Sequence, residues 1–426
     1  MLTLVAQNLM NVTNTAFLGH FSEVALGASA IAGVFYFAIF IIGLGFGQGV
    51  QILIGRRNGE QNYAAIGDII NNALIFNLLL ALIIFIASIF GIPHLMKLLV
   101  SSPNIYAASI EYLDYRIYGY FFIFLNVIFR SFFVGITKTK VLTVSAAIMA
   151  TVNILLDYCL IFGNWGMPEM GIKGAALASV IAEAIATIFM IAYTYTQVDT
   201  KKYNLISRIK VNFKIIEQIL KISIFIMFQY FISIFTWFMF FVFIEKMGER
   251  PLAITNIGRS IYSLLMIPAS ALSITAATLV SNLIGAGESA KVMPAVMKIS
   301  RIAIIATLPL ILFTALFPQI YAQIYTSDTS LILAAIPTVR VVSIALILYA
   351  VGNVIINAVS GTGSTRMAFV IELISLIFYI LYVYYFSIYN PHDVSIVWLS
   401  ELVYWSIMGV LAYVFMKQGK WKQKVI

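Results

Sequence analysis

Residues 142–163 read LTVSAAIMATVNILLDYCLIFG, twenty-two positions with a single charged side chain, Asp157. About 20 predominantly apolar residues suffice for a helix to cross a bilayer. A helix entering near Val141 reaches Asp157 about 15 residues on, roughly 22 Å deep at ~1.5 Å per residue. An ionised carboxylate at that depth costs on the order of 2.5–3.5 kcal/mol. It should therefore face the protein interior and be neutralised by a proton, a cation or a partner. Asn153 stands four residues earlier, on the same helix face. An amide oxygen one turn from a carboxylate is half of a site for a hard cation. The competing reading is a structural hydrogen bond between helices.

The same pattern recurs along the whole chain. Apolar runs bounded by charges, Gly or Pro cover 1–17, 25–54, 66–91, 106–136, 142–163, 173–196, 215–246, 252–284, 293–325, 331–361, 367–388 and 395–417. The first is short, so either helix 1 is truncated at its cytoplasmic end or the true start lies upstream. Of the 426 residues 62% are hydrophobic and 10% charged, against roughly 25% charged in a soluble globular protein. So few charges could not cover so much apolar surface, and the natural solvent is lipid. The fold class expected is an all-α polytopic membrane protein of about twelve transmembrane helices.

The net charge of +9 does not point to nucleic acid, because most of the basic residues lie between apolar runs. With the N-terminus inside, Arg56, Arg57, Lys138, Lys140, the run from Lys201 to Lys221, Lys291, Lys298, Arg301, Arg366 and the tail Lys417 to Lys424 are cytoplasmic. Lys97, Lys173, Lys246 and Arg250 are outside. This asymmetry places both termini in the cytoplasm. The longest polar stretch, QVDTKKYNLISRIKVNFK at 197–214, divides the chain into an N-lobe (1–196), an inter-lobe loop (197–214), a C-lobe (215–417) and a basic tail (418–426).

The halves match in their landmarks. Gly19 and Gly248, Gly59 and Gly287, and Gly135 and Gly361 stand 229, 228 and 226 residues apart, each at or just past the end of an apolar run. Six helices per half, an even number, make the repeats parallel, two pseudo-symmetric six-helix lobes with a substrate path between them.

Catalytic motifs are missing. There is no GxxxxGK[ST] phosphate loop and no HExxH, and no nucleophile–base cluster lies at depth. The run Gly43-Leu-Gly-Phe-Gly-Gln-Gly49 imitates a nucleotide loop but lies in an apolar helix, where close helix packing explains it better. The lone Cys159 can form no intrachain disulfide, and His20, His94 and His392 are far apart.

Several segments resemble the multidrug and toxic compound extrusion (MATE) family. Thr13-Asn14-Thr15-Ala16-Phe17-Leu18-Gly19-His20 is similar to its VDTxFxGH element. Arg57-Asn58-Gly59-Glu60 and Ile284-Gly285-Ala286-Gly287-Glu288 are similar to its paired GAG loops, and Gly361-Thr-Gly-Ser-Thr365 to its GxGDT loop. Asn153 to Tyr158, followed by Gly171 to Ser179, is similar to its helix 5 signature and helix 6 start. The resemblance implies a V of two lobes opening to alternate sides, and export of organic, often cationic, compounds against inward H+ or Na+. It implies an N-lobe coupling site of a helix 1 Asp and a helix 5 Asn/Asp pair. Here the pair is Asn153 and Asp157, and the helix 1 Asp is replaced by Asn14. Tyr112 falls at the family's N-lobe tyrosine, and Ser179 joins this set. The acids that some members use in the C-lobe are not evident. Gln229, Asn353 and Asn357 are the polar residues offered there.

Arg259 and Glu401 have similar expected depths near the outer surface and are expected to pair. Glu183 lies mid-helix, and Glu372, near the cytoplasmic end of its helix, is expected to snorkel. A structural role is expected for these four. Phe231, Phe235, Trp237 and Met239 could line a greasy cavity for cationic guests, and Pro268 and Pro309 should kink their helices.

The expected function is an ion-coupled antiporter of small organic, cationic compounds in a bacterial inner membrane, monomeric, with lipid and substrate as partners and no nucleic acid. It needs no cofactor beyond the coupling ion. One acid with amides binds a proton well and sodium loosely, so H+ is favoured, with Na+ at Asp157 and Asn153 as the second choice and no certain metal site. The alternatives are a flippase of lipid-linked glycans, which should show a basic cavity, and a membrane-embedded enzyme, which needs clustered His, Asp or Glu at depth.

Overall fold

The computed structural model describes residues 2–205 and 211–423, and all regular structure among them is helical. The first half contains α1 (Leu2–Phe21), α2 (Glu23–Gly59), α3 (Tyr63–Leu99), α4 (Pro103–Arg116), α5 (Gly119–Gly135), α6 (Lys140–Phe162) and α7 (Ile172–Gln197). The second contains α8 (Phe213–Glu245), α9 (Glu249–Leu265), α10 (Ile267–Gly285), α11 (Ser289–Leu316), α12 (Pro318–Gln323), α13 (Thr329–Gly361), α14 (Thr365–Tyr384), α15 (Val394–Trp398) and α16 (Ser400–Gln418). Among the described residues ten helices are long and apolar enough to cross a membrane, or eleven when the bent pair α4 and α5 is counted as one span.

Every apolar run of the sequence became helix, but four are broken, one of them 293–325, which is α11 and α12, parting at Phe317. The run 106–136 is α4 and α5, bent by 53°. The run 252–284 is α9 and α10, which part at Met266. The run 395–417 is α15 and α16, which part at Leu399. The two expected proline kinks diverge for a local reason. Pro268 sits in the first turn of α10, where a missing N–H costs nothing because that donor has no helical partner. Pro309 lies inside α11, which continues past it.

The repeat is regular in the helix starts. Glu23 and Glu249, Tyr63 and Ser289, and Pro103 and Thr329 each stand 226 residues apart, and Lys140 and Thr365 stand 225 apart. It is less regular in continuity. α2 runs unbroken where the second half has α9 and α10, and α13 runs unbroken where the first half has α4 and α5.

The chain forms two compact units, residues 1–58 with 62–223, and residues 59–61 with 224–426. The division falls inside α8, past the 197–214 segment. The early turns of α8 belong to the first unit because Ser223 donates from Oγ to the Phe46 carbonyl at 3.1 Å. Gly49 makes this approach feasible, since a Cβ there would collide with Ser223. Gly43 and Gly47 likewise lie against Phe124 and Val127 of α5. The glycine run is thus a packing surface, as its apolar setting suggested. Within 197–214, Tyr203 is buried edge-on to Tyr63 (5.6 Å) and Phe132 (5.6 Å). Gly67 admits the backbone of this segment, because any Cβ there would strike the Tyr203 and Asn204 carbonyls.

Candidate functional site

In the first unit α6 packs against both α1 and α7. Asn153 and Asp157 of α6 are completely buried. Asn153 of α6 donates from Nδ2 to Ser179 Oγ of α7 at 3.3 Å, so these two residues of the expected set meet. Asn153 Oδ1, both carboxylate oxygens of Asp157 and Asn14 Oδ1 are buried without a hydrogen-bond partner. Buried polar atoms are nearly always satisfied, and four orphaned acceptor oxygens on packed helices have the chemistry of a proton or hard-cation site. Tyr112 of α4 is buried as well.

Arg116 is the residue that sequence reading missed. It ends α4 at the bend and forms a two-point ion pair with Glu183 of α7, Nη1 to Oε2 at 2.8 Å and Nη2 to Oε1 at 2.6 Å. Its guanidinium lies 3.7 Å from the centre of the Tyr36 ring. Tyr36 in turn donates to Glu183 Oε2 at 3.3 Å and stacks on Tyr120 at 5.1 Å. Gly119 leaves room for this cluster, since a Cβ there would meet Arg116, Glu183 and the Tyr36 hydroxyl. A tyrosine-rich stretch followed by an arginine inside an apolar run was the available signal.

In the second unit the polar residues fall into separate groups. Asn353 donates to the Tyr349 hydroxyl (2.9 Å) and to Ser273 Oγ (3.2 Å), and Asn357 donates to Asn353 Oδ1 (2.9 Å). Gln229 belongs elsewhere. It donates to Glu372 Oε2 at 2.9 Å, while Ser233 and Tyr404 each reach Glu372 Oε1 at 2.5 Å. The expectation that Glu372 snorkels is corrected. It is buried, because α14 turns this position toward α8 and α16 rather than outward.

The expected pair of Arg259 and Glu401 is corrected as well. Glu401 is buried and accepts from the Tyr262 hydroxyl (2.8 Å) and Trp405 Nε1 (3.1 Å). Arg259 is exposed, its guanidinium 5.5 Å from the Phe241 ring centre. Two residues at equal depth meet only when their helices turn them toward each other. Ile254, Gly258, Ile261, Tyr262 and Leu265 form the buried stripe of α9, and Arg259 falls beside it. Of the aromatic residues considered for a cavity, Phe231 and Phe235 are exposed, and Trp237 packs edge-on to Phe241 at 5.6 Å.

Comparison with known proteins fits this arrangement. The MatE family model matches residues 1–159 and 215–385. A Thermotoga maritima protein named "Probable multidrug resistance protein NorM" is 23% identical over 99% of this chain and 91% of its own length. One of the same name from Agrobacterium fabrum is 31% identical over 48% of this chain and 44% of its own. Among solved structures, the "Outward-facing conformation of a multidrug resistance MATE family transporter of the MOP superfamily" superposes with a TM-score of 0.91 at 18% identity, covering 98% of this chain and 93% of that one. A MOP superfamily transporter from Pyrococcus furiosus gives 0.90 at 18% identity, covering 100% and 94%. At that identity the structures speak for the fold, and the family model, which covers well over half the residues, speaks for kinship. The chain is a multi-pass integral membrane protein and belongs to the MatE family of transporters.

Proposed function

We propose that the protein is a proton-coupled antiporter that exports small organic, cationic compounds, with Asp157 as the switch of its first half. The observation that carries this reading is the set of orphaned oxygens, Asp157 Oδ1 and Oδ2 with Asn153 Oδ1 and Asn14 Oδ1. Among these only Asp157 titrates. Protonated, it becomes a donor and can bond to an amide oxygen of Asn153 or Asn14, which would repack α1 against α6. Ionised, it is an uncompensated buried charge that draws a cation or a fresh proton. Proton and substrate can thus alternate, the proton entering from outside as the compound leaves. A sodium ion would find one carboxylate and amides where helix 1 offers Asn14 rather than a second acid, so H+ is favoured over Na+.

The relatives named as multidrug resistance proteins support small organic substrates. The Lys/Arg bias supports cytoplasmic termini, and the bacterial relatives support an inner-membrane location. A monomer is sufficient for this scheme. A lipid-linked glycan flippase is less favoured, because Arg116, a cation buried in the first unit, is already neutralised by Glu183. The test is efflux of a fluorescent organic cation from proteoliposomes. A pH gradient should drive it at fixed sodium, and a sodium gradient at fixed pH should not. The opposite result would exchange the coupling ion.

A further inference from the structure

The second half has its own buried acid on the helix that corresponds to α6. By order along each half, α8, α14 and α16 answer to α1, α6 and α7, and α14 packs against α16 as α6 packs against α7. Glu372 on α14 sits among Gln229 and Ser233 of α8 and Tyr404 of α16. We propose that Glu372 with these three residues forms a second proton-binding site, distinct from Asp157.

The first support is that, among the described residues, no cation pairs with the acid. Glu372 is 4% exposed, and its partners are an amide and two hydroxyls. Removing a carboxylate from water without a counter-charge is costly, and the usual outcome is uptake of a proton.

The second support is the wiring of Ser233. Its hydroxyl has one hydrogen and two acceptors, Glu372 Oε1 at 2.5 Å and the Gln229 carbonyl at 2.8 Å. When Glu372 is ionised, Ser233 donates to it. When a hydronium ion gives its proton to Oε1 and departs as water, the acid donates to Ser233 Oγ, and the serine hydrogen turns to the Gln229 main-chain carbonyl. No other covalent bond changes and no heavy atom need move, so both protonation states are satisfied. Glu401 has no such relay. Trp405 Nε1 can only donate, and the Tyr262 hydroxyl, which accepts from Trp405 at 2.9 Å, has its hydrogen committed to Glu401.

The third support is polarity. A metal cation needs oxygen lone pairs turned toward it, and here three groups present hydrogens to the carboxylate. The site is therefore suited to a proton and not to sodium. The titratable groups around it are few. On α16 they are Tyr404, in contact, and Glu401, held by Tyr262 and Trp405. Tyr349 of α13 is engaged by Ser270 and Asn353. On α8, Glu217 and Lys221 pair with each other at exposed positions. On α14 itself, Arg366 is exposed, and buried Tyr379 packs its ring against that of Tyr404 at 5.7 Å.

The experiment is pH-difference infrared spectroscopy of the full-length protein in lipid nanodiscs. Acidification should bring up the carbonyl stretch of a protonated carboxyl that persists in Asp157→Asn and disappears in Glu372→Gln. Proton uptake should fall by one per molecule in Glu372→Gln. A band unchanged by Glu372→Gln, or one lost completely in Asp157→Asn, overturns the proposal. Should Glu372→Gln fail to fold, Ser233→Ala keeps the acid but removes its acceptor, so the stretch should move, and an unmoved stretch is equally decisive. Unimpaired transport by Asp157→Asn would sink the first-half switch and leave this site standing.

Discussion

Arg116 and Glu183 meet in a two-point ion pair, 2.6 and 2.8 Å, where α4 bends into α5. The pair ties a broken helix to the middle of α7, and the Arg116 guanidinium lies over the Tyr36 ring. Bends of this size usually trace to Pro, to glycine or to a side chain inserted in the helix ladder. Here Gly119 stands just past the break, and the arginine fills the space a larger residue would take.

Removing one partner leaves the other as an uncompensated buried charge, which costs about 3–5 kcal/mol. Arg116→Leu and Glu183→Leu should each lower thermal stability in detergent sharply. The double variant should recover much of the loss, because two apolar side chains replace the pair. Single variants that unfold at the wild-type temperature would show that the pair does not hold the bend.

Asp157→Asn mimics the protonated acid and should fold, bind substrate and fail to couple, so that an imposed pH gradient no longer accelerates efflux. Asn14→Asp supplies the second carboxylate and should strengthen sodium dependence. Wild-type rates in Asp157→Asn under the same gradient would assign Asp157 a structural role.

Gly67 accepts the backbone of Tyr203 and Asn204. Gly67→Ala should undock this segment and free the backbone around Lys201 and Lys202, whose side chains are already exposed, raising trypsin cleavage there several-fold while the spans stay intact. With Cys159→Ser as background, a cysteine at Lys202 should react with impermeant reagent only from the cytoplasmic side. Labelling exclusively from outside would invert the topology.

Asp328 caps α13 by accepting from the backbone N–H groups of Ser330 (2.8 Å) and Leu331 (3.3 Å). The Ser330 hydroxyl and these amides hold its carboxyl below the usual carboxylate value. A depressed value means the cap stabilises above the unfolded carboxyl's range, near 4, and is lost as pH falls through the folded one. Amide exchange in the first turn of α13 should therefore speed up below about pH 4. Asp328→Asn, which caps without titrating, should show no such acceleration.

Local residue order was enough for the spans, the repeat and one face of the site. A run of about 20 apolar residues has few alternatives to a spanning helix. The constant offset of the glycine landmarks exposed the two halves, and Asn153 and Asp157, four apart, had to share a helix face. Only the tertiary structure decided which distant residues met these. Glu183 found Arg116 across 67 positions, and Glu372 found Gln229 across 143. Depth in the membrane can be counted from sequence, but the azimuth of each helix is set by packing against its neighbours. That is why Arg259 faces outward and Glu401 is bonded to Tyr262 and Trp405. The break at Arg116 was hidden for a similar reason. Its apolar flanks read as one continuous helix, and the bend is held by a partner on another helix.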